Sequence, residues 1–191
     1  FGSQVAVDRV SLTVGAGEFS AVIGPNVAGK TTVFNLISGF FAPTAGDILL
    51  DGRVITRLKV TQRVALGMAR TFQITEIFPE LSVRENIRIA VEATAGLGLR
   101  MWPSRTVTAQ VDGEVEALLA QSGLAATADR LVGELSHGDQ RAAEIAMALA
   151  LKPRLLLLDE PTAGMGEQET YQVASLIRRL HKNHNYTIVL I

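Results

Sequence analysis

The sequence predicts an α/β domain: a parallel sheet interrupted by a long helical insertion. A strand-like run over 18–23 feeds a glycine-rich turn, then a helix with Val33, Phe34, Leu36, Ile37 and Phe40 at helical spacing. Near the other end, Leu155-Leu156-Leu157-Leu158 is a continuous apolar run after Pro153, the pattern of a strand buried on both faces. A helix over 167–182 and an apolar strand over 187–191 follow it. Strand–helix units at both ends, with helical patterning over 74–151 between them, give the class.

The remaining elements follow in order. Residues 5–7 and the alternating 10–14 read as further strands before a Gly-Ala-Gly turn. Pro43 and Gly46 close the first helix, and 47–55 reads as an antiparallel hairpin turning at Asp51-Gly52. Residues 57–70 read as helix. Within the insertion Pro79 and Ser82 open a helix, 96–103 breaks the pattern, and 112–121 forms another helix ended by Gly123.

Bulk properties narrow the class of function. A length of 191 residues suits one domain with a subdomain. Apolar residues reach 48%, yet no run approaches the ~18–20 uninterrupted apolar residues of a membrane span. A net charge of −1 gives no field to draw nucleic acid or an anionic membrane. Absence of cysteine excludes disulfides and thiolate metal sites and fits a reducing compartment. The first residues carry no basic segment followed by an apolar core, so no signal peptide is expected. The opening Phe1, in place of Met, leads us to expect that the true start is missing.

The chemistry is concentrated in two places. Gly24-Pro25-Asn26-Val27-Ala28-Gly29-Lys30-Thr31 fits the phosphate-loop pattern G-x-x-x-x-G-K-[ST], after a strand and opening a helix. Small residues let backbone N–H groups close around phosphate oxygens, and the helix N-terminus adds partial positive charge. Lys30 brings a full charge to the β- and γ-phosphates, and the Thr31 hydroxyl can ligate Mg2+. Asp159-Glu160 stands at the carboxyl end of the leucine run, where open α/β sheets bind ligands. Asp159 is expected to hold Mg2+, and Glu160 to polarise the attacking water. Taken alone, an acidic pair after a strand is as well explained as a turn or helix cap; the phosphate loop lifts it above that.

With these motifs the chain resembles the ATP-binding cassette family, as a P-loop (RecA-like) core with an antiparallel β flank and an inserted helical subdomain. Leu135-Ser136-His137-Gly138-Asp139-Gln140 is similar to that family's signature loop, about twenty residues before Asp159. Ser136 with Asp139 is equally a capping-box-like helix start, and the two readings are compatible. The resemblance implies that Ser136, Gly138 and Asp139 complete a partner subunit's ATP site. It implies that Gln73, in Arg70-Thr71-Phe72-Gln73, reaches the metal and the attacking water, and that Phe1 stacks on adenine. Gly24 to Thr32, including Thr32 itself, would grip the nucleotide.

The resemblance spans essentially the whole chain and points within the family to importers of branched-chain amino acids, with importers of urea and other amides next. It implies core segments at 1–73 and 152–191 around a helical subdomain at 74–151, all one cassette over 1–191. It further implies an ATPase acting as a homodimer or heterodimer with a second cassette, on transmembrane permease subunits at the cytoplasmic face. A periplasmic solute-binding protein would be an indirect partner; nucleic acid is not expected.

Departures from the family pattern matter too. Val27 stands at a family glycine; if φ there must be positive, a β-branched residue strains the loop. Ala142 and Met147 replace usual basic residues, and Gly166 replaces an acid. The switch histidine that follows the last strand in the family is absent, which we attribute to truncation. These departures keep open a degenerate regulatory module that binds ATP without turnover. A soluble cassette ATPase of DNA repair or translation is the other rival, although coiled-coil heptads, zinc cysteines and a second cassette are all missing.

Overall fold

A computed structural model describes residues 6–25, 29–71, 77–96 and 104–191. The first half of the chain forms β1 (Phe19–Ala21), α1 (Lys30–Ser38), β2 (Leu49–Leu50), β3 (Arg53–Val54), α2 (Val60–Ala65) and β4 (Met68–Thr71). Then come α3 (Val83–Thr94), α4 (Arg105–Ser122), α5 (His137–Ala150), β5 (Leu155–Leu158), α6 (Glu167–His184) and β6 (Thr187–Leu190).

Four parallel strands lie in the order β1-β6-β5-β4. Because successive side chains alternate in direction, β4, β5 and β6 each feed two cores. Met68, Leu157 and Val189 pack with Phe34 of α1 and with Ile55. Ala69, Leu156, Leu158 and Ile188 join the opposite core, shared with α3, α4, α5 and α6. The helical insertion therefore packs directly on the sheet. The hairpin β2–β3 is antiparallel, and Asp51 (φ 49°) and Gly52 (φ 74°) both take the left-handed conformation its two-residue turn requires.

Helix ends follow local chemistry. The Ser82 side chain accepts from the backbone N–H of Glu85 while the Glu85 carboxylate accepts from that of Ser82. The Ser82 hydroxyl also holds the Glu85 carboxyl below its ordinary pKa. Gly39 and Gly123 close α1 and α4 in left-handed conformation.

Three expected elements differ. Residues 57–70 are not one helix: α2 ends at Ala65, Gly67 turns at φ 94°, and β4 joins the sheet beside β5. Among the described residues, 6–14 form no strand, since alternation there meets no neighbouring ladder. The helix expected at 112–121 begins earlier, at Ser104, whose hydroxyl caps Val107. Among the described residues no helix is long and apolar enough to cross a membrane.

A buried arginine holds the far end of α1. Arg63 is 1% exposed, and its guanidinium donates to the carbonyls of Leu36 and Ile37 at 2.7 and 2.6 Å. It also donates to Thr56 and Leu58 at 2.8 and 3.0 Å. A cation on carbonyls at a helix C-terminus complements the dipole and satisfies groups the helix cannot. Arg63→Met should cost about 3 kcal/mol by leaving these carbonyls buried and unpaired. That corresponds to a fall in Tm of about 6–12 °C by thermal melting for a domain of this size. A fall below about 2 °C would show that α1 does not depend on this clamp.

Candidate functional site

The carboxyl ends of the strands line up. Ala21 of β1 is level with Leu190 of β6, Leu190 with Leu158 of β5, and Leu158 with Thr71 of β4. The loop leaving β1 toward α1 thus begins two strand positions from Asp159, about 10 Å across the sheet at ordinary strand spacing. Gly24, Pro25, Lys30, Thr31, Thr32, Asp159 and Glu160 share this edge.

Gly29 opens α1 with φ 75°, and a β-carbon there would sit 2.4 Å from the carbonyl oxygen of Ala6. Only glycine fits both constraints. Lys30 is half-buried, and its Nζ donates to the carbonyls of Gly24 at 2.5 Å and Pro25 at 3.0 Å. An ammonium has three donors and no acceptor, and two acceptors here belong to its own loop. Thr31 and Thr32 lie in the first turn of α1.

Asp159 is 1% exposed. Its Oδ2 accepts from Arg70 Nη2 at 2.5 Å, and its backbone carbonyl accepts from Arg141 Nη2 at 2.7 Å. Arg141, on α5, is also paired with Glu144. Asp159 Oδ1 is buried and has no hydrogen-bond partner among the described residues. An unpaired buried carboxylate oxygen is rare and expensive, and points to a ligand.

Glu160 sits in the left-handed region at φ 41°, held by its N–H to the Ile191 carbonyl at 3.0 Å. Its neighbours Phe19, Thr162, Leu190 and Ile191 line a cleft of about 560 Å³ with it. A non-glycine residue in this conformation is strained and common at functional sites.

The signature residues lie elsewhere. Ser136 caps α5 by accepting from the Asp139 N–H at 3.2 Å, as the capping pattern predicts. The Asp139 carboxylate accepts from Gln172 Nε2 of α6 at 2.6 Å, and a β-carbon on Gly138 would press on the same Gln172. Within one chain, the described contacts of Gly138 and Asp139 run to α6. Phe1, Asn26, Val27, Ala28 and Gln73 lie outside the described residues. Sequence reasoning gave no role to Arg70. An arginine three positions before Gln73 was the available signal, but its partner, Asp159, lies 89 residues away.

A family model described as ABC transporter matches residues 7–163. The high-affinity branched-chain amino acid transport ATP-binding protein LivG of Escherichia coli (strain K12) is 40% identical over 196 residues, spanning 100% of this chain and 77% of that protein. The corresponding protein BraF of Pseudomonas aeruginosa is 39% identical with the same coverage. Among solved structures, the ADP conformation of MJ1267, an ATP-binding cassette of an ABC transporter, matches with a TM-score of 0.83. It is 28% identical and is covered to 76%, against 100% of this chain. The family match over residues 7–163 and the 40% identity to LivG along the whole chain place the protein in the ABC transporter family as an ATP-binding subunit that hydrolyses ATP.

Proposed function

We propose that this cassette pairs with a second ABC ATPase subunit and powers uptake of branched-chain amino acids or related amides through permease subunits at the cytoplasmic face of a membrane. The kinship to LivG and BraF, named for branched-chain amino acid transport, supports the solute class. The helical segment over 74–151 is the part proposed to meet the permease, together with Gln73. A periplasmic solute-binding protein would deliver the solute.

The unpartnered Oδ1 of Asp159 carries the catalytic reading. One carboxylate oxygen left without a partner suits Mg2+, which takes one or two carboxylates and completes its shell with phosphate oxygens and water. Thr31 and Asp159 would hold it, with Gln73. When bound, Mg2+ neutralises charge developing on the β- and γ-phosphates. Lys30 gives up the carbonyls of Gly24 and Pro25 to bind the same phosphates. Glu160 orients a water for in-line attack and takes its proton. Gly24 to Thr32 enclose the phosphates with backbone N–H groups, and Phe1 stacks on adenine. Ser136, Gly138 and Asp139 of one subunit close the other's site.

The test is reconstitution with the permease subunits and solute-binding protein in proteoliposomes. ATP hydrolysis should rise when leucine, isoleucine or valine is supplied. Stimulation by urea alone would place the solute among the amides instead, and stimulation by none of these solutes would overturn the assignment.

A further inference from the structure

Arg70 joins three parts of the site that sequence places far apart. Its side chain is 6% exposed, and that of Asp159 is 2% exposed. One guanidinium nitrogen, Nη2, donates to Asp159 Oδ2 at 2.5 Å. The other, Nη1, donates to Asn35 Oδ1 at 2.7 Å and Ser38 Oγ at 2.9 Å, both on α1. The guanidinium carbon lies 5.7 Å from the ring centre of Phe34 and 5.8 Å from that of Phe40. Ser38 Oγ is itself fixed by donating to the Phe34 carbonyl at 2.5 Å. The planar fork is thus held by α1 on one edge and by the carboxylate on the other.

A carboxylate at the end of a strand can rotate about its side-chain bonds. Here Arg70 fixes one oxygen and leaves Oδ1 buried without a partner. Arg70 places a positive charge against that carboxylate. Its charge also has a cost, because it shares the negative charge that would attract a cation. Fixing Oδ1 in place must outweigh that cost if the pair serves metal binding. The α1 that Asn35 and Ser38 belong to is the helix that begins with Lys30 and Thr31. The fork therefore sets the distance between the phosphate end of the site and its carboxylate.

Resting on the reading of Asp159 as the metal carboxylate, we infer that Arg70 is a positioning residue: it fixes Asp159 through Oδ2, leaves Oδ1 for the cation, and keys that carboxylate to the phosphate-loop helix. Groups that orient a metal ligand from behind typically change metal affinity by about 10–100-fold when removed. Metal-free nucleotide binding depends on Lys30 and the loop instead, so the two affinities should separate.

The measurement is Mn2+ binding to the full chain with ATP present, followed by the paramagnetic resonance of free Mn2+, beside ATP binding in excess EDTA. Arg70→Met should weaken Mn2+ binding by about 10–100-fold while metal-free ATP affinity stays within about threefold. Arg70→Lys should recover part of the loss. Asn35→Ala keeps the ion pair but loosens its tie to α1. It should shift Mn2+ binding in the same direction by a smaller factor, which gives a second reading if Arg70→Met fails to fold. Asp159→Asn is the control. If it leaves Mn2+ binding unchanged, the metal assignment itself fails. If it weakens Mn2+ binding while folded Arg70→Met does not, the inference about Arg70 fails. Equal losses of metal-dependent and metal-free ATP binding in Arg70→Met would make the arginine merely structural and overturn the inference as well.

Discussion

Glu160→Gln should slow ATP hydrolysis by about 10²–10³-fold while ATP affinity stays nearly unchanged. The substitution keeps the size and hydrogen-bonding reach of the side chain and removes its basicity. The backbone at this position is already committed. Its φ of 41°, the N–H bond to Ile191 at 3.0 Å and the bond from the Ala163 N–H to its carbonyl at 3.1 Å do not depend on the carboxylate. Folding should therefore be unaffected. The side chain borders a cleft with Phe19, Thr162 and Leu190, so water can reach it. Nothing in the proposed grip on the nucleotide involves it, which is why turnover and binding should part company. Single-turnover phosphate release measures the first and titration calorimetry the second. With chemistry stalled, the ATP-bound dimer proposed above should accumulate and be visible by sizing with Mg-ATP. A hydrolysis rate within about threefold of the parent would remove Glu160 from the chemistry.

Local patterns carried the parts of the fold that could be read in advance. Leu155 to Leu158 announced β5 because a strand covered on both faces must be apolar throughout. Asp51-Gly52 announced the hairpin because few residue pairs accept two positive φ values. The same locality explains why Lys30, Asp159 and Glu160 were visible: each is defined by residues within a few positions of it. What could not be read depends on distant partners. β4, Met68-Ala69-Arg70-Thr71, carries a charge in its middle and looked like the end of a helix. It is a strand because Asp159 neutralises that charge inside the structure. Arg63 lies in the same segment, and it is buried because the end of α1 offers carbonyls to it. Residues 10–14 show the converse, an alternation with the right period and no ladder to join. Val27 poses the question of loop strain, and it lies outside the described residues.

Lys30→Ala should weaken ATP binding by about 10–150-fold, the loss of one hydrogen bond to a charged group at about 1.5–3 kcal/mol. Turnover should fall further, because charge on the phosphates grows toward the transition state and Lys30 is a preorganised donor to it. Two contributions need separating. Lys30 also holds the carbonyls of Gly24 at 2.5 Å and Pro25 at 3.0 Å, so its removal unties the loop as well as subtracting a charge. Those bonds lie at a half-exposed position, where water can replace them, and the melting temperature should move by no more than about 2 °C. Lys30→Arg discriminates between the two. It keeps the charge in a planar fork that fits the loop poorly. If charge dominates, the arginine variant recovers a large part of the ATP affinity; if the loop tie dominates, it behaves like alanine. Titration calorimetry with ATP, beside thermal melting, reads both. An alanine variant with parental ATP affinity would mean that Lys30 remains on Gly24 and Pro25 when nucleotide binds, and that the phosphates are held elsewhere.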